Sequence, residues 1–325
     1  MALLTADRVE VLVLVDNVTD SLSSTPAFVT REWVALRQRG MKVVAGGSLC
    51  CANHGLSLVI TAHGPDGPRT VLFDGGPVDY AVERNGTRLG VAFGSIEAVV
   101  LSHGHWDHAG GIPKALEMIR AGNGGRAVPL HLHPGMFHER GSRQADGGVL
   151  PMDRVPSPAA WAAMGAEPVV SAGPVTIAGG LFLVSGEIPR RTPYERGLPN
   201  QVRRVTEDAS WEPDPLVMDE RFLALRIRDR GVLVFSACSH AGVVNVLHHA
   251  QACFPGEALF GVMGGFHLSG ENEAIIPETV RDLAGFGLAH VFPAHCTGWR
   301  AVGALERAFG EPAVVPCAVG KIFAL

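Results

Sequence analysis

Residues 103–108 read His-Gly-His-Trp-Asp-His, which puts four side chains able to ligate a metal within six positions. Alternate residues of an extended chain project to the same side. His103 and His105 can therefore share one cation, while Asp107 and His108, on the turn into the following helix, can face a second. Imidazole and carboxylate suit Zn²⁺ first, with Fe or Mn as alternatives. Four such groups at a strand end would be costly to desolvate without a cation among them, so a chance polar loop is a poor account of the segment. Two divalent ions would make hydroxide available at neutral pH and neutralise charge building on an electrophilic oxygen.

The chain carries 14 histidines. His248 and His249 fall within a helical stretch, and His63, His131, His138 and His290 read as structural or surface residues. His133 lies between the strand Val128–Leu132 and Pro134 and can reach a cleft; His54 stands in a similar position, and both are candidate substrate contacts. Arg190 is a third, because a guanidinium can hold a phosphate bidentately. His267 ends a strand on the expected rim, either as a ligand or as a hydrogen-bond partner of substrate; Asp107 and His267 are the candidate catalytic residues.

The elements that must position these groups come from hydrophobic patterning. Strands are expected at Val9–Val15, Leu56–Thr61, Thr70–Phe73, Ile96–Leu101 and Val128–Leu132, with helices near 78–91 and 113–120. The second half repeats the plan. Strands at Phe222–Arg228, Val232–Phe235, Ala258–Met263 and His290–Phe292 alternate with helices near 242–253, 276–286 and 299–309. Gly64-Pro65-Asp66-Gly67-Pro68 and Asp229-Arg230-Gly231 read as hairpin turns. Two mixed sheets face to face with helices outside would bury such strands on both faces. Residues ending strands on one edge would then converge. Between about 134 and 219 turn formers are dense and periodicity is weak, and this reads as an elaborated lid within a single domain spanning 1–325.

Composition sets the outer bounds. With 27 Lys and Arg against 32 Asp and Glu, the net charge of −5 offers no electrostatic footprint for nucleic acid or an anionic membrane. No apolar run approaches the ~18–20 residues of a membrane span, and no leader pattern precedes Val9; the expectation is a cytoplasmic protein. The six cysteines show no framework spacing and read as reduced thiols. No glycine-rich nucleotide motif is present. The expected partner is a small-molecule substrate, with oligomeric state left open.

The segment His103-x-His105-x-Asp107-His108 resembles the signature of the metallo-β-lactamase superfamily. Phe73-Asp74-Gly75-Gly76 is similar to a family motif whose aspartate braces the metal loops. Pro293-Ala294-His295 is similar to the motif supplying a histidine to the second metal. The resemblance implies an α/β fold, the four-layer αββα sandwich, with Asp74 as an orienting residue and His295 as a ligand. His54-Gly55-Leu56-Ser57, Gly186-Glu187-Ile188-Pro189-Arg190, Asp219-Glu220, Cys238-Ser239-His240-Ala241-Gly242, Gly264-Gly265-Phe266-His267-Leu268 and His295-Cys296-Thr297-Gly298 together resemble one subgroup. That subgroup is named for the dihydropterin–ribofuranosylaminobenzene-phosphate synthase of the methanopterin pathway. The chain departs from the broader pattern twice. Ser185-Gly186-Glu187-Ile188-Pro189 replaces a glycine-histidine motif, and Ser236-Ala237-Cys238-Ser239-His240 stands where a bridging aspartate is usual. His240 is the preferred replacement ligand, with Cys238 as the alternative, since thiolate binds Zn²⁺ well.

The ligand set so read is His103, His105, Asp107, His108, His240 and His295 around two divalent ions. The expected activity is hydrolysis, with metal-activated hydroxide attacking a phosphoester, lactone or similar bond. One alternative is a transferase joining a dihydropterin pyrophosphate to a ribofuranosylaminobenzene phosphate, which would make the substrate phosphorylated and pterin-like. Another is a metal-stabilised binding or sensor module without turnover. Di-iron oxygen chemistry of the flavodiiron type is disfavoured, because that branch usually carries glutamate where this chain has His105.

Overall fold

The computed structural model describes residues 3–325. Eight strands form one sheet in the order Ala166–Val170, Val128–Leu132, Ile96–Val100, Gly67–Phe73, Ser57–Gly64, Arg8–Val15, Ile322–Ala324, Val29–Thr30. A second sheet runs Val175–Ile177, Phe182–Val184, Leu223–Ile227, Gly231–Ser236, Leu259–Gly265, His290–Ala294, with Thr5–Ala6 alongside Leu223–Ile227. Both sheets mix parallel and antiparallel pairs.

Period-two alternation explains how these strands are buried on both faces. Val11, Val13, Ile60, Val71, Phe73 and Val100 of the first sheet meet Leu223, Leu225, Leu233, Phe235, Met263 and Phe292 of the second in one central core. The intervening residues point outward. Leu12, Leu14, Leu72 and Val99 pack beneath helices Asp79–Arg88 and Ile112–Gly122. Val232, Val234 and Val262 pack beneath Val243–Cys253, Ile276–Ala284 and Trp299–Phe309. The layers are therefore helix, sheet, sheet, helix, which is the αββα order expected from the sequence. Among the described residues no helix is long and apolar enough to cross a membrane.

The 134–219 segment is more ordered than its composition suggests. Ala166–Val170 extends the first sheet and Val175–Ile177 with Phe182–Val184 extends the second. The remainder makes a third, four-stranded sheet in the order Glu212–Pro213, Gln201–Arg204, Glu139–Arg143, Val149–Pro151. Three of its four strands carry charged residues, which ion pairs tie together. Glu139 accepts from Arg204 at 2.8 Å, and Arg140 reaches Asp214 at 3.0 Å and also pairs with Asp219. Helix Glu32–Gln38 and the strand Ile322–Ala324 were not expected from the sequence; the latter slots between Arg8–Val15 and Val29–Thr30.

Candidate metal centre

The chemistry-bearing residues gather at one rim because they follow strands ending on the same edge. Asp74 follows Gly67–Phe73, His103 follows Ile96–Val100, and Cys238 and His240 follow Gly231–Ser236. His267 follows Leu259–Gly265 and His295 follows His290–Ala294. The turns there are tight. Seven non-glycine residues have positive φ among the described residues, and four of them, Asp74, Ser239, His267 and His295, lie at this rim. Backbone strain of this kind persists where surrounding structure enforces it and clusters at functional sites.

His103, His105 and His240 form a first group, with ligand atoms all within 4.8 Å of one another. His103 Nε2 lies 2.9 Å from His105 Nδ1 and 3.1 Å from His240 Nε2. The outer partners fix where two of these rings carry hydrogen. Ser102 Oγ donates to Asp74 Oδ2 at 2.7 Å, so it accepts from His103 Nδ1 at 2.8 Å. Gln201 Oε1 accepts from His105 Nε2 at 2.6 Å, while its amide nitrogen faces the Asp214 carboxylate at 3.3 Å. His103 Nε2 and His105 Nδ1 are thus bare acceptors aimed at each other. Burial, with Arg140 adding its charge, holds His105 down to about 4, and burial with neighbouring imidazoles holds His103 and His240 well below the usual histidine range. The rings stay neutral, as metal ligation requires.

Asp107, His108, His295 and His54 form a second group. Asp107 Oδ2 stands 3.4 Å from His295 Nε2, 3.6 Å from His54 Nε2 and 3.7 Å from His108 Nε2. Asn17 Oδ1 accepts from His295 Nδ1 at 2.8 Å, leaving the buried His295 Nε2 bare and without a hydrogen-bond partner. It faces a carboxylate oxygen, again acceptor to acceptor. His54 Nδ1 accepts from Asn17 Nδ2 at 3.2 Å, so its other nitrogen carries hydrogen toward Asp107. His108 Nδ1 donates to Asp74 Oδ2 at 2.7 Å. Burial opposes a charged His108, but the Asp107 and Asp74 carboxylates outweigh it and raise the ring to about 9. Burial likewise opposes the Asp107 anion, yet the charge of His108 outweighs it and holds the carboxyl far below the usual carboxylate range.

Cys238 sits between the groups, its Sγ 3.2 Å from His108 Nε2. It falls within ligand distance of three sets: His103 with His108, His240 with His267, and His295 with Cys296. The His267 ring is 4.6 Å from that of His240, centroid to centroid, and its Nδ1 is buried without a partner.

The other candidates lie further out. His133 Nδ1 accepts from the Gly135 amide and its Nε2 faces Glu187 at 3.5 Å. Arg190 turns its guanidinium onto the carbonyls of Ile188, Leu216 and Val217 and does not join the histidine cluster. Two supporting residues have no mark in the sequence, Gln201 on a lid strand and Asn17 beside its strand end. Asp219, noted in the sequence only as part of the Asp219-Glu220 motif, accepts from the Gly104 amide at 2.8 Å and is held to about 2 by Arg140 against the effect of burial. Glu220 accepts the amides of His240 and Ala241 at 2.7 and 2.6 Å, and burial raises it to about 7. Only the position of Asn17 just past a strand end, matching that of the ligand-type residues, could have singled it out.

Bare acceptors facing each other at 2.9 and 3.4 Å repel unless a cation lies between them. The donor set, six imidazoles or carboxylates with a thiol beside them, fits divalent ions of the zinc type.

A family model described as the metallo-beta-lactamase superfamily matches residues 55–260. The 7,8-dihydropterin-6-methyl-4-(beta-D-ribofuranosyl)-aminobenzene-5'-phosphate synthase of Methanocaldococcus jannaschii is 26% identical over 263 residues, 80% of this chain and 86% of that protein. An uncharacterised protein of the same organism is 27% identical over 256 residues, 79% and 88% of the two chains. Among solved structures, a metal-dependent hydrolase of the beta-lactamase superfamily superposes with a TM-score of 0.68 at 22% identity, covering 98% of each chain. The metallo-beta-lactamase fold protein YhfI from Bacillus subtilis gives 0.51 at 11%, covering 98% of this chain and 100% of its own. These two structures speak for the fold, and the family model spans well over half of the sequence. With its strand-end cluster of histidines and acids and its αββα layers, the chain belongs to the metallo-beta-lactamase superfamily.

Proposed function

We propose that this chain is a dinuclear metal-dependent hydrolase of a small molecule, acting on a phosphoester, lactone or similar bond. His103, His105 and His240 would hold one cation, and Asp107, His108 and His295 the other. Bound zinc, or iron or manganese in its place, would supply hydroxide at neutral pH and stabilise charge on the departing oxygen. The observation that carries the reading is the double confrontation of bare acceptors, His103 with His105 and Asp107 with His295.

The protein's own groups divide the remaining work. Asp74 fixes His108 directly and His103 through Ser102. Asp107, whose side chain is 11% exposed, keeps its Oδ2 free of any donor at hydrogen-bond distance and can orient an attacking nucleophile. His54 presents an N–H to the same oxygen at the mouth of the site, where it would hold substrate. His267 would contribute a hydrogen bond to the substrate from the opposite strand end. His133 and Arg190 remain candidate contacts for more distant parts of the substrate.

The test is metal analysis of purified protein together with turnover of p-nitrophenyl phosphodiesters and acyl lactones. About two zinc ions per chain and activity lost in the doubly substituted His103→Ala, His105→Ala protein are expected. Fewer than one ion per chain, or metal content indifferent to those substitutions, overturns the reading.

The second reading is the transferase, and the relative from Methanocaldococcus jannaschii favours it. It requires pyrophosphate release when a dihydropterin pyrophosphate and a ribofuranosylaminobenzene phosphate are supplied together. Hydrolysis without coupling of those partners rejects it.

A further inference from the structure

Two thiols meet at the candidate metal centre without being bonded. Cys238 follows the strand Gly231–Ser236, and Cys296 follows His290–Ala294. Leu259–Gly265 lies between those strands in the sheet, so their ends stand roughly 9–10 Å apart by strand spacing alone. The sulfurs nevertheless come within 3.3 Å. They meet because the middle strand ends in glycine: a Cβ on Gly265 would lie 2.6 Å from Cys296 Sγ and 2.4 Å from the Ala237 carbonyl oxygen. Any side chain there would wall one thiol off from the other.

A disulfide needs a sulfur separation of ~2.05 Å, so closing the pair takes about 1.2 Å of approach. Both thiols are nearly buried, Cys296 at 7% exposure and Cys238 at 2%. Cys238 Sγ is also the sulfur placed beside His108 Nε2 at 3.2 Å. Moving it onto Cys296 draws it away from His108, one of the proposed holders of the second cation, and disturbs the packing around that ring.

We propose that Cys238 and Cys296 are a redox modification site, in which a hydroperoxide closes a disulfide that loosens the metal centre. The inference rests on the dinuclear reading above. Cys296, the more exposed thiol, gives its sulfur lone pair to one peroxide oxygen; the O–O bond breaks, and the sulfenic acid and one water result. Cys238 sulfur then attacks Cys296 sulfur; the S–O bond breaks and leaves with the Cys238 proton as a second water. Two thiols and one hydrogen peroxide become one disulfide and two waters, the sulfurs oxidised and the peroxide reduced.

The experiment uses zinc-loaded full-length protein treated with hydrogen peroxide. Intact mass, peptide mapping and zinc release into a chromogenic chelator are followed together. Expected are a loss of about 2 Da, a cross-linked peptide pair containing Cys238 and Cys296, release of zinc, and reversal of all three by dithiothreitol. The Cys296→Ser protein, with Cys296→Ala as a second check, should release zinc roughly tenfold more slowly under the same peroxide. Oxygen added to either cysteine without the cross-link overturns the proposal, as does a cross-link that leaves all zinc in place. Equal zinc release from parent and Cys296→Ser overturns it too. A chain that takes up no zinc before peroxide defeats the dinuclear reading, and with it the release step, whereas the mass measurement still decides whether the cross-link forms.

Discussion

Asp74 Oδ2 accepts from His108 Nδ1 at 2.7 Å, and both side chains are wholly buried. The same oxygen accepts the Ser102 hydroxyl, which in turn holds His103. One carboxylate thus orients an imidazole in each of the two groups. Partners of this kind fix the tautomer of a ligating histidine and typically govern 10–100-fold of metal affinity.

Asp74→Ala should therefore weaken both sites together, by roughly 10–100-fold in zinc affinity. Asp74 adopts φ of 60°, which asparagine tolerates better than alanine. Asp74→Asn should accordingly keep more stability than Asp74→Ala while still losing affinity. Competition titration against a chromophoric chelator, with urea unfolding alongside, separates the two effects.

Gln201→Leu removes the acceptor that pins hydrogen on His105 Nε2. The expected outcome is a loss of about tenfold in affinity confined to the ion proposed for His103, His105 and His240. A titration in which both ions weaken equally would refute this assignment.

Gly110 closes the turn after His108, and a Cβ there would stand 1.9 Å from the Pro77 carbonyl oxygen. Backbone on both sides leaves nothing soft to yield. Gly110→Ala should cost roughly 2–3 kcal/mol or more of stability, read from urea unfolding.

Burial, with the Arg221 guanidinium adding to it, holds His131 down to about 4. The unfolded chain titrates near pH 6.5, so it binds a proton that the folded protein refuses between those values. This contribution to stability is complete above pH 6.5 and falls away as pH drops toward 4. His131→Gln should flatten the stability profile across that window by on the order of 1–2 kcal/mol relative to the parent. Parallel profiles for the two proteins would count against it.

The core strands and the His103–His108 run were legible because their information is local. The continuous apolar run Val11-Leu12-Val13-Leu14 announces a strand buried on both faces. The lid sheet was not legible, and its strands show why. Glu139–Arg143 and Gln201–Arg204 are joined by ion pairs to residues 65 or more positions away, so no hydrophobic period betrays them. The strand Ile322–Ala324 is three residues long and acquires meaning only beside Arg8–Val15. Gln201 and Asn17 are ordinary polar residues until folding sets them against His105 and His295.

The grip of Asp16 on the His295 amide, 2.8 Å across 279 positions of sequence, also orders events in time. A growing polypeptide emerging from the ribosome carries His103 through His108 long before His295 exists. Each of the two proposed ion sites therefore waits for a ligand from the second half of the sequence, His240 for one and His295 for the other, so a product truncated before them lacks both.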